Sequence, residues 1–523
     1  MRSRGSLAPA ILYSNMTESS VARLGTGLSR IPPHWRLFGV AVSGLLLVSL
    51  WLRFNAPPVQ QPVIVKPRPS SIAVLPFLNT NPDSSDNYLG YGIGTELTRG
   101  LSQLRHLSVA ELPWPWGNGS QVNPVDVGEE LGVGTVLQGT IRRAAGRIRV
   151  TAQLVDVGEG FDLWSETYES GASDLLQVQN EIARAIALTL RVPGADSVFG
   201  VRLGPTSSTE AYDAYIAGKY LLARGDSRDA AQTVSYFSQA IQLDSSFALA
   251  YAALAEAQMP GVQQELPPRL TLLTAETAAR RALQLDSTLA LPHRVLGEIR
   301  LGYYRDWPGA DKEFKRALEL APKSPDAYAT YARFLLAMGR LEESRAMSLR
   351  AVELTPLSPV ALEQLGWHYL HTRDFDRGRE TLTRAIQLDS TNWRPHFDLA
   401  LLEQAAANYG RARIHLSNAA RRAPLRLVPR IAAAQLMALS GQPDSARVIM
   451  QGLRPPFWHT AVPPYLEACV QAALGERNKA FASLEQAVVE RSELLPYLRI
   501  DPRLDQLHAD PRYARLVKRL RLP

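Results

Sequence analysis

PDAYATYARFLLAMGRLEESRAMSLRAVELT, residues 325–355, decides the fold. Tyr328, Tyr331, Ala332 and Leu335 fall at i, i+3, i+4 and i+7, which makes one apolar stripe on a first helix. Gly339 breaks that helix, as a C-terminal glycine does. A second helix follows with Ala351 and Leu354, and Pro356 and Pro359 stop it and start the next unit. The phrase that closes the stretch keeps returning. It reads Ala317-Leu318-Glu319-Leu320, Ala351-Val352-Glu353-Leu354 and Ala385-Ile386-Gln387-Leu388, in steps of 34 residues. Earlier copies, at wider spacing, are Ala240-Ile241-Gln242-Leu243 and Ala282-Leu283-Gln284-Leu285. Where the phrase fades, Ala412, Ala446 and Ala480 keep the register, as do Gly441 and Gly475. A fixed period of this length marks a stacked helix-turn-helix solenoid, in which no copy can bury its apolar face alone.

The period is that of tetratricopeptide repeats, which bind partners on a concave face and rarely do chemistry. About eight copies are expected over residues 210–494, with 495–523 as a capping segment. The first helix of each pair forms the inner surface. By repeat register, Arg294, Glu298, Arg333, Glu363, Trp367, His371, Phe397 and Asp398 are expected to face it. Aromatic rings with both signs of charge suit an extended peptide or a partner helix.

At 523 residues the chain is long enough for several domains. Its single cysteine, Cys469, excludes an intramolecular disulfide framework and a cysteine-based zinc cluster, and its helical surroundings read as a small buried side chain. The net charge of +7 is localised. Residues 1–70 hold Arg2, Arg4, Arg23, Arg30, Arg36, Arg53, Lys66 and Arg68 against Glu18, so the remainder is neutral and no nucleic-acid-binding face is expected.

Residues 37–52, LFGVAVSGLLLVSLWL, carry no charge and are bracketed by Arg36 and Arg53. They are expected to form a transmembrane helix over 36–53. A disordered cytoplasmic tail over 1–35 would precede it, and a proline-rich linker over 54–70 would follow. This places a single-pass protein in the inner membrane with its C-terminal domains outside the cytoplasm. Residues 71–191 have a different rhythm. Ser71–Phe77 reads as a buried strand, and Thr135–Arg143, Arg147–Asp156 and Phe161–Tyr168 as three more. Alternation of Ile148, Val150, Ala152 and Leu154 with Arg149, Thr151 and Gln153 gives the sheet one wet face. Helices are expected over Ile93–Gln103, Val125–Leu131 and Asp174–Leu190, and a linker over 192–209. The expected fold is α+β: a transmembrane helix, a small α/β domain, then an all-α solenoid.

SIAVLPF at 71–77, Tyr91-Gly92-Ile93-Gly94-Thr95-Glu96-Leu97, Glu130-Leu131-Gly132-Val133, VLQGTIRRAAGRIRVTAQLVD at 136–156 and Leu163–Tyr168 resemble the TolB-like (FlgO-like) α/β domain. Ala211–Tyr215, Phe247–Tyr251, Tyr304–Trp307, Leu498–Leu504 and Asp510–Tyr513 are similar to the repeat array that usually follows it. The resemblance implies a bacterial envelope scaffold or sensor with a protein partner. In such proteins this half is often fused to a serine/threonine kinase, nucleotide cyclase or winged-helix regulator, so an accessory or truncated regulatory half is the alternative.

No motif rises to catalysis. Gly90-Tyr91-Gly92-Ile93-Gly94 invites a nucleotide-loop reading, but position 97 is Leu and no Gly-Lys-Ser/Thr follows, so a tight turn into a helix is expected. Trp114 and Trp116 read as packing against the sheet edge, and Asn118-Gly119-Ser120 as a turn. The histidines are scattered, without HExxH or a ligand cluster. Neither enzyme activity, a metal nor a cofactor is expected.

Overall fold

The computed structural model describes residues 68–81, 86–102, 104, 106–110, 123–171, 175–193, 206–225, 227–259, 268–453 and 462–522. The sheet contains β1 (Arg68–Val74), β2 (Leu78–Asn79), β3 (Ser108–Ala110), β4 (Val133–Ala144), β5 (Arg147–Asp156) and β6 (Asp162–Gly171). Its order is β3-β1-β4-β5-β6, with β2 also paired to β4. β1 runs parallel to β3 and β4, while β4, β5 and β6 form an antiparallel meander. β1 is covered on both faces, as its apolar run requires. Ile72 and Val74 join the main core, and Ala73 and Leu75 pack with Val127, Val133, Val136 and Val157 on the other side. On β5, Ile148, Val150, Ala152 and Leu154 are buried and Arg147 and Arg149 exposed, so the alternation in sequence is the alternation in space.

Among the described residues three helices accompany the sheet: α1 (Asn87–Ser102), α2 (Pro124–Leu131) and α3 (Leu175–Thr189). Asn123 caps α2 by accepting from the Val125 amide at 3.1 Å, Pro124 occupies its first turn, and Gly132 ends it at φ 64°. The glycine run of α1 is not a turn before a helix. All three glycines lie inside the helix as contact points. A Cβ on Gly90 would stand 1.9 Å from the Phe77 carbonyl oxygen, and one on Gly92 would stand 2.3 Å from Ile216 Cγ2. Glycine there lets α1 lie against the β1–β2 connection and against the first repeat helix.

Eight helix pairs follow among the described residues: α4 (Thr209–Arg224) with α5 (Ala230–Leu243), α6 (Ala248–Ala257) with α7 (Pro268–Leu285), α8 (Ala290–Ile299) with α9 (Trp307–Leu320), α10 (Pro325–Ala337) with α11 (Leu341–Leu354), α12 (Pro359–Thr372) with α13 (Phe375–Leu388), α14 (Trp393–Ala405) with α15 (Tyr409–Arg422), α16 (Leu427–Leu439) with α17 (Pro443–Gly452), and α18 (Pro464–Ala473) with α19 (Arg477–Val489). Small residues set the distance within each pair. A Cβ on Gly218, Gly297 or Gly366 would fall 2.6, 2.8 or 2.5 Å from Phe237, Phe314 or Leu382 of the facing helix. Ala310, Ala412, Ala446 and Ala480 are fully buried on the second helices. Ser324 and Ser358 cap α10 and α12 by accepting from the amides of Ala327 and Ala361, each just before a first-turn proline.

The α/β unit and the first pair share one core. Ile93, Leu97 and Ile182 pack in the same cluster as Tyr212, Tyr215, Phe237 and Phe247. The Tyr88 hydroxyl donates to the Asp213 carboxylate at 3.0 Å, and the Tyr212 hydroxyl donates to Gln179 at 2.9 Å.

The membrane expectation is corrected. Among the described residues no helix is long and apolar enough to cross a membrane. The longest, α7, has 18 residues but carries Glu276, Arg280 and Arg281, so its length serves an amphipathic packing role. The fold is mostly helical with repeated pairs, and neither a transmembrane helix nor an inner-membrane location is carried further. The tail at 1–35, the stretch at 36–53, the linker at 54–70 up to Pro67, most of the linker at 192–209, Trp114, Trp116 and the turn at 118–120 lie outside the described residues.

Candidate functional site

The first helices of successive pairs present a ladder of charges of both signs. Arg294 on α8 pairs with Glu256 on α6 and with Glu298 one turn on, the latter at 2.7 Å, and Lys219 on α4 stands 3.9 Å from Glu256. Burial would discharge Glu256, but Arg294 and Lys219 hold its carboxyl below the usual range. Arg333 on α10 continues the ladder. Glu363, Trp367 and His371 on α12 are four residues apart and so share one stripe. Asp398 on α14 lies within electrostatic reach of Glu363. Phe397 is placed differently: it sits in the apolar core with Leu370, Leu399 and Leu402, its ring 5.8 Å from that of Trp393.

This inner face is not open. After α19 the chain turns back along it through two short 3-10 turns, Leu495–Tyr497 and Pro502–Leu507. The Tyr497 ring lies 6.3 Å from Trp367 and 6.1 Å from His371, and the Arg333 guanidinium stands 6.0 Å over it. Trp367 and His371 are themselves 4.2 Å apart. Asp501 is fully buried, accepts from the Tyr465 hydroxyl at 2.9 Å, and pairs with Arg503 at 2.7 Å. Burial would raise the Asp501 carboxyl, but Arg503 brings it down to about 2. Burial pushes the His371 imidazole down to about 4 against the pull of Asp501, so the ring is neutral near pH 7. Arg373, at the end of α12, grips Asp505 through two bonds of 2.8 Å.

The array also closes on itself. Arg305 donates to the Val488 carbonyl at 2.9 Å, Arg491 stacks 4.4 Å over Tyr303, and the Trp307 indole donates to the Arg521 carbonyl at 2.9 Å across 214 residues. A π-helical turn at Arg300–Tyr304 lengthens α8 at this meeting point.

Tyr497, Asp501 and Arg503 escape a register-based reading because they belong to no repeat. One signal was available: Asp-Pro-Arg occurs twice, at 501–503 and 510–512. Both copies fold alike. The Asp accepts from the Arg amide at 3.0 Å and clasps its guanidinium at 2.7 Å, which makes a rigid corner before a short helix. Cys469 is buried beside the first corner, its thiol pushed up to about 12 by burial. Among the described residues no cluster of three or more His, Cys, Asp or Glu side chains could hold a metal ion.

Comparison with known proteins bears on the array. A tetratricopeptide repeat family model matches residues 305–365. The relative from Rhizobium meliloti (strain 1021) named "Putative adenylate cyclase 3" is 32% identical over 201 residues, which is 38% of this chain and 33% of that protein. The chain thus spans about a third of the length of that relative. Among solved structures, PilF of Pseudomonas aeruginosa aligns with 22% identity over 40% of this chain and 91% of its own, at a TM-score of 0.32. A tetratricopeptide repeat protein from Parabacteroides merdae ATCC 43184 aligns with 16% identity over 52% and 98%, at 0.35. The C-terminal region of this chain carries tetratricopeptide repeats, the architecture of a protein-interaction scaffold.

Proposed function

We propose that the chain is a non-enzymatic interaction scaffold. A TolB-like α/β unit is fused through a shared core to a repeat array, and the inner face around Arg333, Trp367 and His371 receives a protein segment. The observation that carries this reading is the seating of Tyr497 and its neighbours on that face. Residues 491–507 act as an internal occupant, and a partner segment of similar chemistry, an aromatic followed by a Pro-flanked acidic corner, exchanges with it. A labelled peptide of residues 491–507 tests this. It should fail to bind the wild-type chain, bind a Tyr497→Ala chain whose own segment is loosened, and lose most of that binding when Trp367→Ala is added. A folded Tyr497→Ala chain that ignores the peptide would sink the reading.

A second reading is favoured by the cyclase-named relative, of which this chain matches a third. In that case the chain is the regulatory half of a signalling protein. Adding the purified chain to the catalytic part of that relative should then change its turnover. An unchanged rate leaves the scaffold reading alone.

A further inference from the structure

Between Glu403 and Asp444 the chain carries six arginines and no acidic residue. Four of them, Arg411, Arg413, Arg421 and Arg422, lie on α15, the second helix of its pair. Among the described residues, every other second helix that carries a basic residue carries an acidic one as well. On α7, α9, α11, α13 and α17 the two pair within a turn, as Arg350 does with Glu353 at 2.9 Å and Arg447 with Asp444 at 3.0 Å. The guanidiniums of α15 are not offset in this way. Arg411 stands 3.9 Å from Glu403, a carboxylate that Arg379 already holds at 2.7 Å. Among the described residues Arg421 reaches only the Asn418 side chain, and Arg422 only the carbonyls of Ser390 and Asn418. Arg413 has neither a hydrogen bond nor an ion pair among them.

The basic patch has an apolar centre. Ala412, Leu416 and Ala419 are buried and mark the face of α15 that packs against its neighbours. Ile414 stands opposite that face, 60% exposed, with Arg411 one turn before it and Arg421 two turns after. Leu425, just past the helix, is 76% exposed, and Arg430 donates to the Pro424 carbonyl beside it at 3.3 Å. An aliphatic centre rimmed by arginines is the anatomy of a protein interface. A lipid surface asks for a broad apolar face, and α15 uses its own for packing. Single-stranded nucleic acid stacks on exposed aromatic rings, whereas the exposed large apolar side chains here, Ile414 and Leu425, are aliphatic.

We propose that the exposed face of α15 docks an acidic helix of a partner protein, with an aliphatic residue of that helix against Ile414 and its carboxylates on Arg411, Arg413 and Arg421. Charge complementarity fixes the sign of the partner, because the patch has no carboxylate of its own to offset. Its form follows from α15: the middle of a helix offers no free backbone group, so recognition is side chain on side chain, as between packed helices. The surface belongs to a second helix, and the proposal does not depend on the reading of the inner face.

Fluorescence anisotropy of the full chain with a labelled alanine-based helical peptide tests it, the peptide carrying two leucines one turn apart and glutamates on either side. Saturable one-to-one binding is expected, weakening as salt rises. Arg411→Glu with Arg421→Glu should weaken it by roughly tenfold or more through like-charge repulsion. Ile414→Ser should weaken it by a similar factor if the aliphatic centre anchors the partner. All three sites are exposed, and a thermal melt of each variant checks that the fold is kept. Arg316→Glu, at an exposed residue paired with Glu319 on α9, should bind as wild type does. A peptide with lysine in place of glutamate should ignore the wild-type chain and bind the doubly reversed one. No binding of the acidic peptide, equal loss in Arg316→Glu, or failure of the charge swap would each overturn the proposal. So would tighter binding to phosphatidylserine vesicles or to duplex DNA than to the peptide, since the patch would then serve a lipid or a nucleic acid.

Discussion

At the scale of single residues, glycines on one helix are held for opposite reasons. On α1, a Cβ at Gly90 would run into the Phe77 carbonyl at 1.9 Å, an atom of the backbone that cannot swing aside. Gly100, on the same helix, has nothing within 4 Å. Gly90→Ala should therefore destabilise by about 1–3 kcal/mol through overpacking. Gly100→Ala should stabilise by up to about 1 kcal/mol through helix propensity. Denaturant melts of both check this, and shifts of the same sign would show that the contacts of α1 are misassigned. The sequence carried the glycines but not their purpose, because glycine has no side chain to announce a neighbour. The run from Gly90 to Gly94 was legible as a special place and illegible as a packing seam. His368 makes a second prediction at this scale. Burial and then Arg345 push its imidazole from 6.5 down to about 4, against Glu342 and Asp374, and its Nδ1 lies 2.9 Å from Ser344 Oγ. A depressed folded-state value means that the unfolded chain takes the proton first. The contribution of His368 is whole above pH 6.5 and is lost as pH falls from there toward about 4. The unfolding free energy of His368→Gln should be flatter than wild type across that window. An identical slope would mean that the ring is not held neutral.

At the scale of elements, the repeat clock runs in the backbone more regularly than in the letters. Arg305, Gly339, Arg373, Ala407, Gly441 and Gly475 follow each other at 34-residue steps, and all have positive φ, between 56° and 78°. Each ends a first helix in the left-handed cap that lets the chain turn into the second. Only three are glycine, so a search by residue type finds half of the series. The other half pays a steric cost of about 1–2 kcal/mol that local structure must offset. Arg373 offsets it with the Asp505 clasp. Ala407 has no side chain that could, so Ala407→Gly should stabilise the array by about 1 kcal/mol, while Gly339→Ala should destabilise it by a similar amount. Thermal melts decide, and a destabilised Ala407→Gly would refute the cap assignment. The apolar stripes and the prolines that stop one helix and start the next were readable because they use residue types with one dominant purpose. The inner-face residues were readable only as positions. Register placed Arg333, Glu363, Trp367, His371 and Asp398 on one side, but what lies over them arrives from more than a hundred residues away, and no periodicity encodes it.

At the scale of the whole molecule, that return changes what kind of solenoid this is. A repeat array with contacts only between neighbours unfolds as a nearly one-dimensional chain, losing its end units first. Here the segment after α19 touches α10 and α12, and its last residues reach Trp307. The end of the array is thereby bound to its middle. Asp501 is the place to test whether that matters, because it joins the inner face to α18 through Tyr465 and is neutralised by Arg503. Asp501→Asn leaves a buried guanidinium without its partner, a change that costs about 3–5 kcal/mol. The distribution of that loss is the informative quantity. If closure couples the array, amide hydrogen exchange should accelerate in α10 and α12 together with α18 and α19, despite the distance in sequence. Faster exchange confined to α18 and α19 would show that the returning segment only rests on the inner face, and that the repeats behind it hold their structure without it.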